Sequence, residues 1–366
     1  METLNKQRLG SKSALGVPVL LNRDLLSTED LSTNEIEQIY DTAEKMKAMR
    51  KTGILSGIFR NKTLAMIFHS PSMRTRMSFE ATLNECGGRT VYFTPNMGRL
   101  KKEYLHEEMQ GVGESTKDFA RVLSLYASFI GIRIMEAEIN EYGQGHSYLQ
   151  EMAKYSSVPI INMADDKYHP CQGLAEFMAL REHFNVSNKY PTNSLKRKRY
   201  LLSWSKGKMA RGWNSVQESL LLAARNGMDI RIARPDGYDL DSDVYNLVNK
   251  YTSNHGAKFE ITDSLNDVYE DVDVVCSRNW YSEKAYGSTG LNKEQEVEKA
   301  SSYQQWFLSE ERFNRTRNGV FVHPMPIERG MEVEDPIVDG DRSLVYKIAE
   351  NKLHIQKAIL YHLIGA

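Results

Sequence analysis

Cysteine is nearly absent: Cys86, Cys171 and Cys276 are all there is in 366 residues, and no two of them stand at metal-ligand or redox-pair spacing. So sparse and odd a set argues against a disulfide framework and fits a reducing compartment, so a cytoplasmic protein is expected. Charge of one sign is lacking as well. Lys and Arg number 47 against 48 Asp and Glu, a net charge of −1, which leaves no bulk pull toward nucleic acid or a membrane surface. Nothing approaches the ~20 apolar residues in a row that span a bilayer. The stretch from Met1 to Pro18 is polar, so no secretory leader is expected. No repeat and no low-complexity segment is found.

What is present is an ordinary globular composition, 41% hydrophobic and 26% charged, on a chain long enough for two full cores. Apolar periodicity predicts helices over 28–50, 77–86 and 115–128, and strands over 64–68, 90–93, 129–133 and 159–162. After a break near 164–175 come a helix over 173–184 and a second alternation. It comprises strands 200–204, 229–233, 258–261, 273–276 and 319–322, helices 215–226 and 242–254, and a short helix 264–269. A helix over 346–364 ends the chain. Strands alternating with helices predict an α/β protein of two doubly wound parallel-sheet domains joined near residue 165.

The run His69-Ser70-Pro71-Ser72-Met73-Arg74-Thr75-Arg76 follows an apolar strand and precedes a helix placed near Met77. A helix start offers unpaired N–H groups and the positive end of a dipole to an anion. Ser72 and Thr75 add hydroxyl donors, and Arg74 and Arg76 add planar forks that suit phosphate. A lone Arg-x-Arg is usually a solvated turn. Four donors within five residues at a strand-to-helix junction point instead to a phosphoryl ligand. Farther on, Lys167-Tyr168-His169-Pro170-Cys171-Gln172 puts a His and a Gln at the mouth of a helix, where both can donate to a carbonyl oxygen and stabilise developing oxyanion charge. A third segment, His323-Pro324-Met325-Pro326-Ile327-Glu328-Arg329, makes a stiff turn at a strand's C-terminal end, where α/β sheets bind ligands.

These three segments, in this order, resemble the signatures of aspartate and ornithine carbamoyltransferases: Ser-x-Arg-Thr-Arg, His-Pro-x-Gln and a Pro-rich turn. The likeness covers nearly the whole chain. Gly113-Glu114-Ser115-Thr116-Lys117-Asp118 with Arg121 looks like the family's helix after its mobile loop, and Glu350-Asn351-Lys352-Leu353-His354 resembles its closing helix. The resemblance implies transfer of a carbamoyl group from carbamoyl phosphate to a small nitrogen nucleophile, with no metal, nucleotide or other cofactor. It assigns Ser72, Met73, Arg74, Thr75 and Arg76 to the phosphate, and Arg133, His169 and Gln172 to the carbonyl. Pro324, Met325 and Arg329 fall to the carbamoyl nitrogen and acceptor. It also implies a carbamoyl-phosphate domain, 1–165 plus 345–366, and an acceptor domain, 166–344, with the terminal helix bridging them. A homotrimer with shared sites is implied, Lys101, Lys102 and Gln110 of loop 96–113 reaching the neighbour.

The third segment has the His-Pro-x-Pro form and lacks the acceptor-contacting Cys of ornithine enzymes. The loop Trp204-Ser205-Lys206-Gly207-Lys208-Met209-Ala210-Arg211-Gly212-Trp213 looks like that of the knotted transcarbamylases, which implies a trefoil knot in the second domain. Ser277-Arg278-Asn279-Trp280 matches their acceptor segment, with Arg278 in place of Lys, and assigns Lys206, Arg278, Trp280 and Met325 to the acceptor. N-acetyl- or N-succinylornithine and an amino or ureido compound both stay open as acceptors. A non-catalytic anion-binding paralogue also fits. A dehydrogenase does not, because Gly111-Val112-Gly113 lacks a third glycine at the right offset and follows no strand.

Overall fold

In the computed structural model, residues 15–94, 114–186, 194–287 and 290–365 are described. The chain divides into two compact units, one running to Cys171 and resuming at Lys352, the other Gln172–Asn351.

In the first unit a capping box at Ser32 and Glu35 opens α1 (Thr33–Met49). A separate box at Ser27 and Asp30 makes only a 3-10 turn, Thr28–Asp30, so the helix starts five residues later than the pattern suggests. Then follow β1 (Thr63–Phe68), α2 (Met73–Glu85), β2 (Arg89–Phe93), α3 (Thr116–Tyr126), β3 (Phe129–Arg133), α4 (Gln144–Tyr155) and β4 (Ile160–Ala164). All strands are parallel, in the order β2-β1-β3-β4. A parallel strand covered on both faces reads as a continuous apolar run, as Leu64-Ala65-Met66-Ile67-Phe68 does. Ala65, Ile67, Ile130, Ile132, Leu123, Tyr148 and Met152 belong to one buried cluster of this unit. Helix α4 escapes the sequence reading because Gly143, at φ 86°, opens it with no side-chain cap.

Helix α5 (Pro170–His183) carries the chain into the second unit. There β5 (Arg199–Trp204), α6 (Asn214–Arg225), β6 (Asp229–Ala233), α7 (Ser242–Asn254), β7 (Phe259–Thr262) and β8 (Val274–Arg278) follow. A small antiparallel pair, β9 (Tyr286–Gly287) and β10 (Gly290–Leu291), precedes α8 (Lys293–Ser302), α9 (Glu310–Asn314), β11 (Val320–Val322), α10 (Asp335–Asp339) and α11 (Val345–Ile364). The five-stranded sheet runs β11-β8-β5-β6-β7, again parallel. The short helix expected over 264–269 is not formed. Thr262 and Ser264 hydroxyls accept the N–H groups of Ser264 and Asn266, a local alternative that competes with the helical ladder.

Strand order reverses between β1 and β3 in the first sheet and between β5 and β8 in the second. In such sheets the crevice outside the strands' C-terminal ends at that point is where ligands bind. Phe68 pairs with Arg133, and Trp204 with Arg278, at those two places.

Candidate active site

The first switch point gathers the phosphate motif. Helix α2 begins at Met73, four residues earlier than the sequence suggests, because Ser72 takes an extended backbone, φ −158°, and its hydroxyl accepts the Thr75 N–H at 3.3 Å. The motif is therefore the cap and first turn of the helix. The first intrahelical bond runs from Arg76 N to Ser72 O at 3.1 Å, so the N–H groups before it face the open end. The preceding turn is tied to the neighbouring strand: His69 N–H donates to Arg133 O at 2.9 Å, and Ser70 Oγ accepts from Met135 N–H at 2.9 Å.

Arg133 is the last residue of β3. Burial, with the nearby Arg74 charge, pulls its pKa down to about 10, although Glu136 opposes this. Its Nε is buried and meets no acceptor among the described residues. A buried donor of that kind needs an explanation, and an anion lodged at the helix start would supply one. Thr75 is buried in the first turn. The Met73 side chain is exposed, which leaves its backbone as the useful part. Arg76 is placed differently. Its guanidinium binds Glu80 at 2.8 Å and lies 3.9 Å from the Tyr92 ring centroid.

His169 and Gln172 are both buried, at the mouth and in the first turn of α5. The His169 ring sits 3.4 Å from the Lys352 amine. Lys352, on α11, is a residue the sequence reading missed; its signal was a lysine in a helix face that buries Leu353, Ile355 and Gln356. Burial pulls its pKa down to about 7, with Arg133 and Arg74 adding to the effect and Cys171 opposing it.

At the second switch point three loops meet. Lys206, after β5, donates its N–H to Trp306 O at 2.7 Å and its amine to Gln304 at 3.1 Å. Arg278 is buried at the end of β8. Trp280 is fully buried, and its indole donates to Tyr238 O at 3.0 Å, so the ring packs in the core instead of presenting a surface. After β11, Pro324 and Met325 are half-buried; Met325 adopts φ 54° and donates its N–H to His323 Nδ1 at 2.9 Å. Arg329 is exposed and held by Asp339 through two bonds of 2.7 Å, with Asp335 at 3.3 Å.

The hub of these loops is Glu332, a second residue the sequence reading left without a role. It accepts from Arg211 at 2.6 Å, from Asn279 N–H at 2.9 Å and from Glu328 N–H at 2.7 Å. Burial opposes its ionisation, but His323 and Arg211 hold the carboxyl well below the usual range. Glu328 caps Lys208 N–H and Met209 N–H at 3.0 Å each. Gly207 makes that approach possible, since a Cβ there would stand 2.4 Å from Glu328 Oε2. Lys101, Lys102 and Gln110 lie outside the described residues. Among the described residues no group of His, Cys, Asp and Glu could hold a metal ion, and no helix is long and apolar enough to cross a membrane.

Comparison with known proteins also divides the chain into two parts. Residues 23–182 match the carbamoyl-P binding domain of aspartate/ornithine carbamoyltransferase, and residues 208–363 match its Asp/Orn binding domain. An ornithine carbamoyltransferase of Carboxydothermus hydrogenoformans is 34% identical over 94% of this chain and 98% of its own. An N-acetylornithine carbamoyltransferase of Xanthomonas campestris is 31% identical over the same shares. Among solved structures, acetylornithine transcarbamylase complexed with acetylcitrulline superposes with a TM-score of 0.82, at 30% identity, over 95% of this chain and 99% of that one. A variant of N-acetyl-L-ornithine transcarbamylase complexed with PALAO reaches 0.83, at 30% identity, over 94% and 99%. The chain belongs to the aspartate/ornithine carbamoyltransferase family and is a carbamoyltransferase.

Proposed function

We propose that this enzyme binds carbamoyl phosphate at the Ser72-capped start of α2 and transfers its carbamoyl group to the nitrogen of a small amino or ureido acceptor. The observation that carries the donor half is the buried Arg133 Nε, which meets no acceptor among the described residues, at the switch point where the phosphate motif begins. Ser72, Thr75, Arg74 and the first N–H groups of α2 hold the phosphate. Arg133, His169 and Gln172 polarise the carbonyl, and Lys352 adds charge from α11. Phosphate is a good leaving group, so positioning and charge neutralisation carry the reaction. Lys206, Arg278 and the backbone of Pro324 and Met325 orient the acceptor. Arg329 contributes after exchanging its carboxylate partners, and Trp280 by supporting the loop from below.

A second reading, N-acetyl- or N-succinylornithine as acceptor, is supported by the likeness to N-acetyl-L-ornithine transcarbamylase structures and by the knot-type loop after β5. Both readings expect a threaded second unit, a trimer and a cytoplasmic setting. Initial rates of phosphate release across ornithine, N-acetyl- and N-succinylornithine, putrescine, aspartate and small ureido acids separate them. The acyl-ornithine reading predicts saturation with an acylated ornithine alone. Saturation with an amino or ureido compound instead would remove it.

A further inference from the structure

Immediately before His169 the chain makes a tight loop, residues 165–168, and one carboxylate holds it together. Asp165 is fully buried. Its Oδ1 accepts the N–H groups of Lys167, at 2.8 Å, and Tyr168, and its own N–H donates to Tyr168 O at 3.1 Å. Both sides of Tyr168 are thus tied to Asp165, and the next peptide leads into His169. The other oxygen, Oδ2, accepts from Asn162 Nδ2 at 2.8 Å and from His146 Nδ1 at 2.7 Å.

Asn162 extends the clamp toward Arg133. Its Oδ1 accepts the Ala164 N–H at 2.9 Å. Ala164 has φ 147°, a backbone conformation that side-chain-bearing residues rarely adopt, and it lies where the β3–β4 register shifts opposite Arg133. The Ala164 carbonyl accepts from Ile134, the residue after Arg133, at 3.0 Å. One carboxylate therefore braces the turn carrying His169 and the strand end carrying Arg133.

The counter-group is locked too. His146 N–H donates to Asp166 Oδ1 at 3.1 Å, Gly143 N–H donates to the other oxygen, and the His146 ring meets Tyr168 edge-on with centroids 5.0 Å apart. Burial disfavours an imidazolium at His146, and Lys167 adds to that. The hydrogen bond and charge of Asp165, with Asp166, outweigh both and raise its pKa. A neutral amide at position 165 would keep the two loop contacts. It would not accept from both Asn162 and His146, because its nitrogen is a donor.

We infer that Asp165, held by His146, is a positioning residue that sets His169 and Arg133 for catalysis, an assignment resting on the carbonyl-polarising role proposed for His169. The test compares Asp165→Asn, His146→Asn, His146→Ala and His169→Ala in carbamoyl-transfer kinetics, with inorganic phosphate affinity measured by calorimetry. In Asp165→Asn, kcat is expected to fall at least about tenfold while phosphate affinity moves less than about threefold, the signature of an interaction felt in the transition state. His146→Asn, whose side-chain N–H stands where Nδ1 stood, is expected to keep at least about a third of the parental kcat, and His146→Ala to lose about as much as Asp165→Asn.

Parental kcat in Asp165→Asn overturns the assignment. So do equal falls in kcat and phosphate affinity, the pattern of general structural damage. Should Asp165→Asn not fold, equal activity of the two His146 variants overturns it. A His169→Ala variant with parental kcat removes the polarising role, and the clamp's function with it. Loss in His169→Ala beside parental Asp165→Asn removes the clamp alone.

Discussion

Arg74 and Arg76 share one motif, and their surroundings separate them. Arg74 contributes to the positive field around Arg133 and Lys352, whereas Arg76 is occupied by Glu80 and the Tyr92 ring. Removing a charged donor from a site of this kind costs roughly 2–4 kcal/mol of barrier. Arg74→Ala is therefore expected to lower kcat/KM about a hundredfold or more, and Arg76→Ala about tenfold at most; steady-state kinetics on folded variants checks both. Lys352 gives a pH prediction. Its folded pKa lies near 7, below the usual lysine value, so between about pH 7 and the ordinary range the unfolded chain binds more protons. The burial cost is then fully present below the folded value and fades as pH rises. Calorimetry of Lys352→Met should show a melting temperature above the parent's at pH 6 and an advantage that shrinks toward pH 9. An advantage that grows with pH would contradict the assignment. At this scale the sequence showed the donors, because they cluster in short strings. It did not show Lys352, Glu332 or Asp165, whose partners lie far along the chain or act through backbone groups.

Helix starts decide what those strings can do. Ser32 and Ser72 each cap a helix, and replacing such a cap by Ala costs about 1 kcal/mol. Ser32→Ala and Ser72→Ala should lose similar stability by denaturant titration, but only Ser72→Ala should also weaken phosphate binding. Equal phosphate affinity in both would argue against an anion site at α2. Buried parallel strands were legible because Leu64–Phe68, Phe129–Arg133 and Arg199–Trp204 are nearly unbroken apolar runs. Helix α4 was not, since Gly143 gives no capping signal. The apolar pattern points to a start of α2 four residues late because Arg and Thr weaken the periodicity there, while the cap at Ser72 decides it. Residues 264–269 failed in the opposite sense, as hydroxyls captured the N–H groups a helix would need.

Over the whole molecule the organisation is a duplication of one physical idea. Each unit has a parallel sheet whose order reverses once, and the candidate site residues follow the two strands flanking that reversal and the edge strand beside them, β4 in the first unit and β11 in the second. The order of the three motifs along the chain carried the family in the sequence, because each follows the C-terminal end of a parallel strand, β1, β4 and β11 in turn. The loop network around Glu332 was not legible, since it joins residues 211, 279, 328 and 332 from three separate loops. Group transfer from a donor held at the first switch point leaves a direct chemical signature. The most direct measurement follows carbamoyl-¹³C-labelled carbamoyl phosphate by NMR with the productive acceptor, in the parent and in Arg133→Ala. The label should move onto the acceptor nitrogen in step with phosphate release, at a rate at least about a hundredfold lower in the variant. Phosphate release with the label left as free cyanate or bicarbonate, or an undiminished rate in Arg133→Ala, would contradict it.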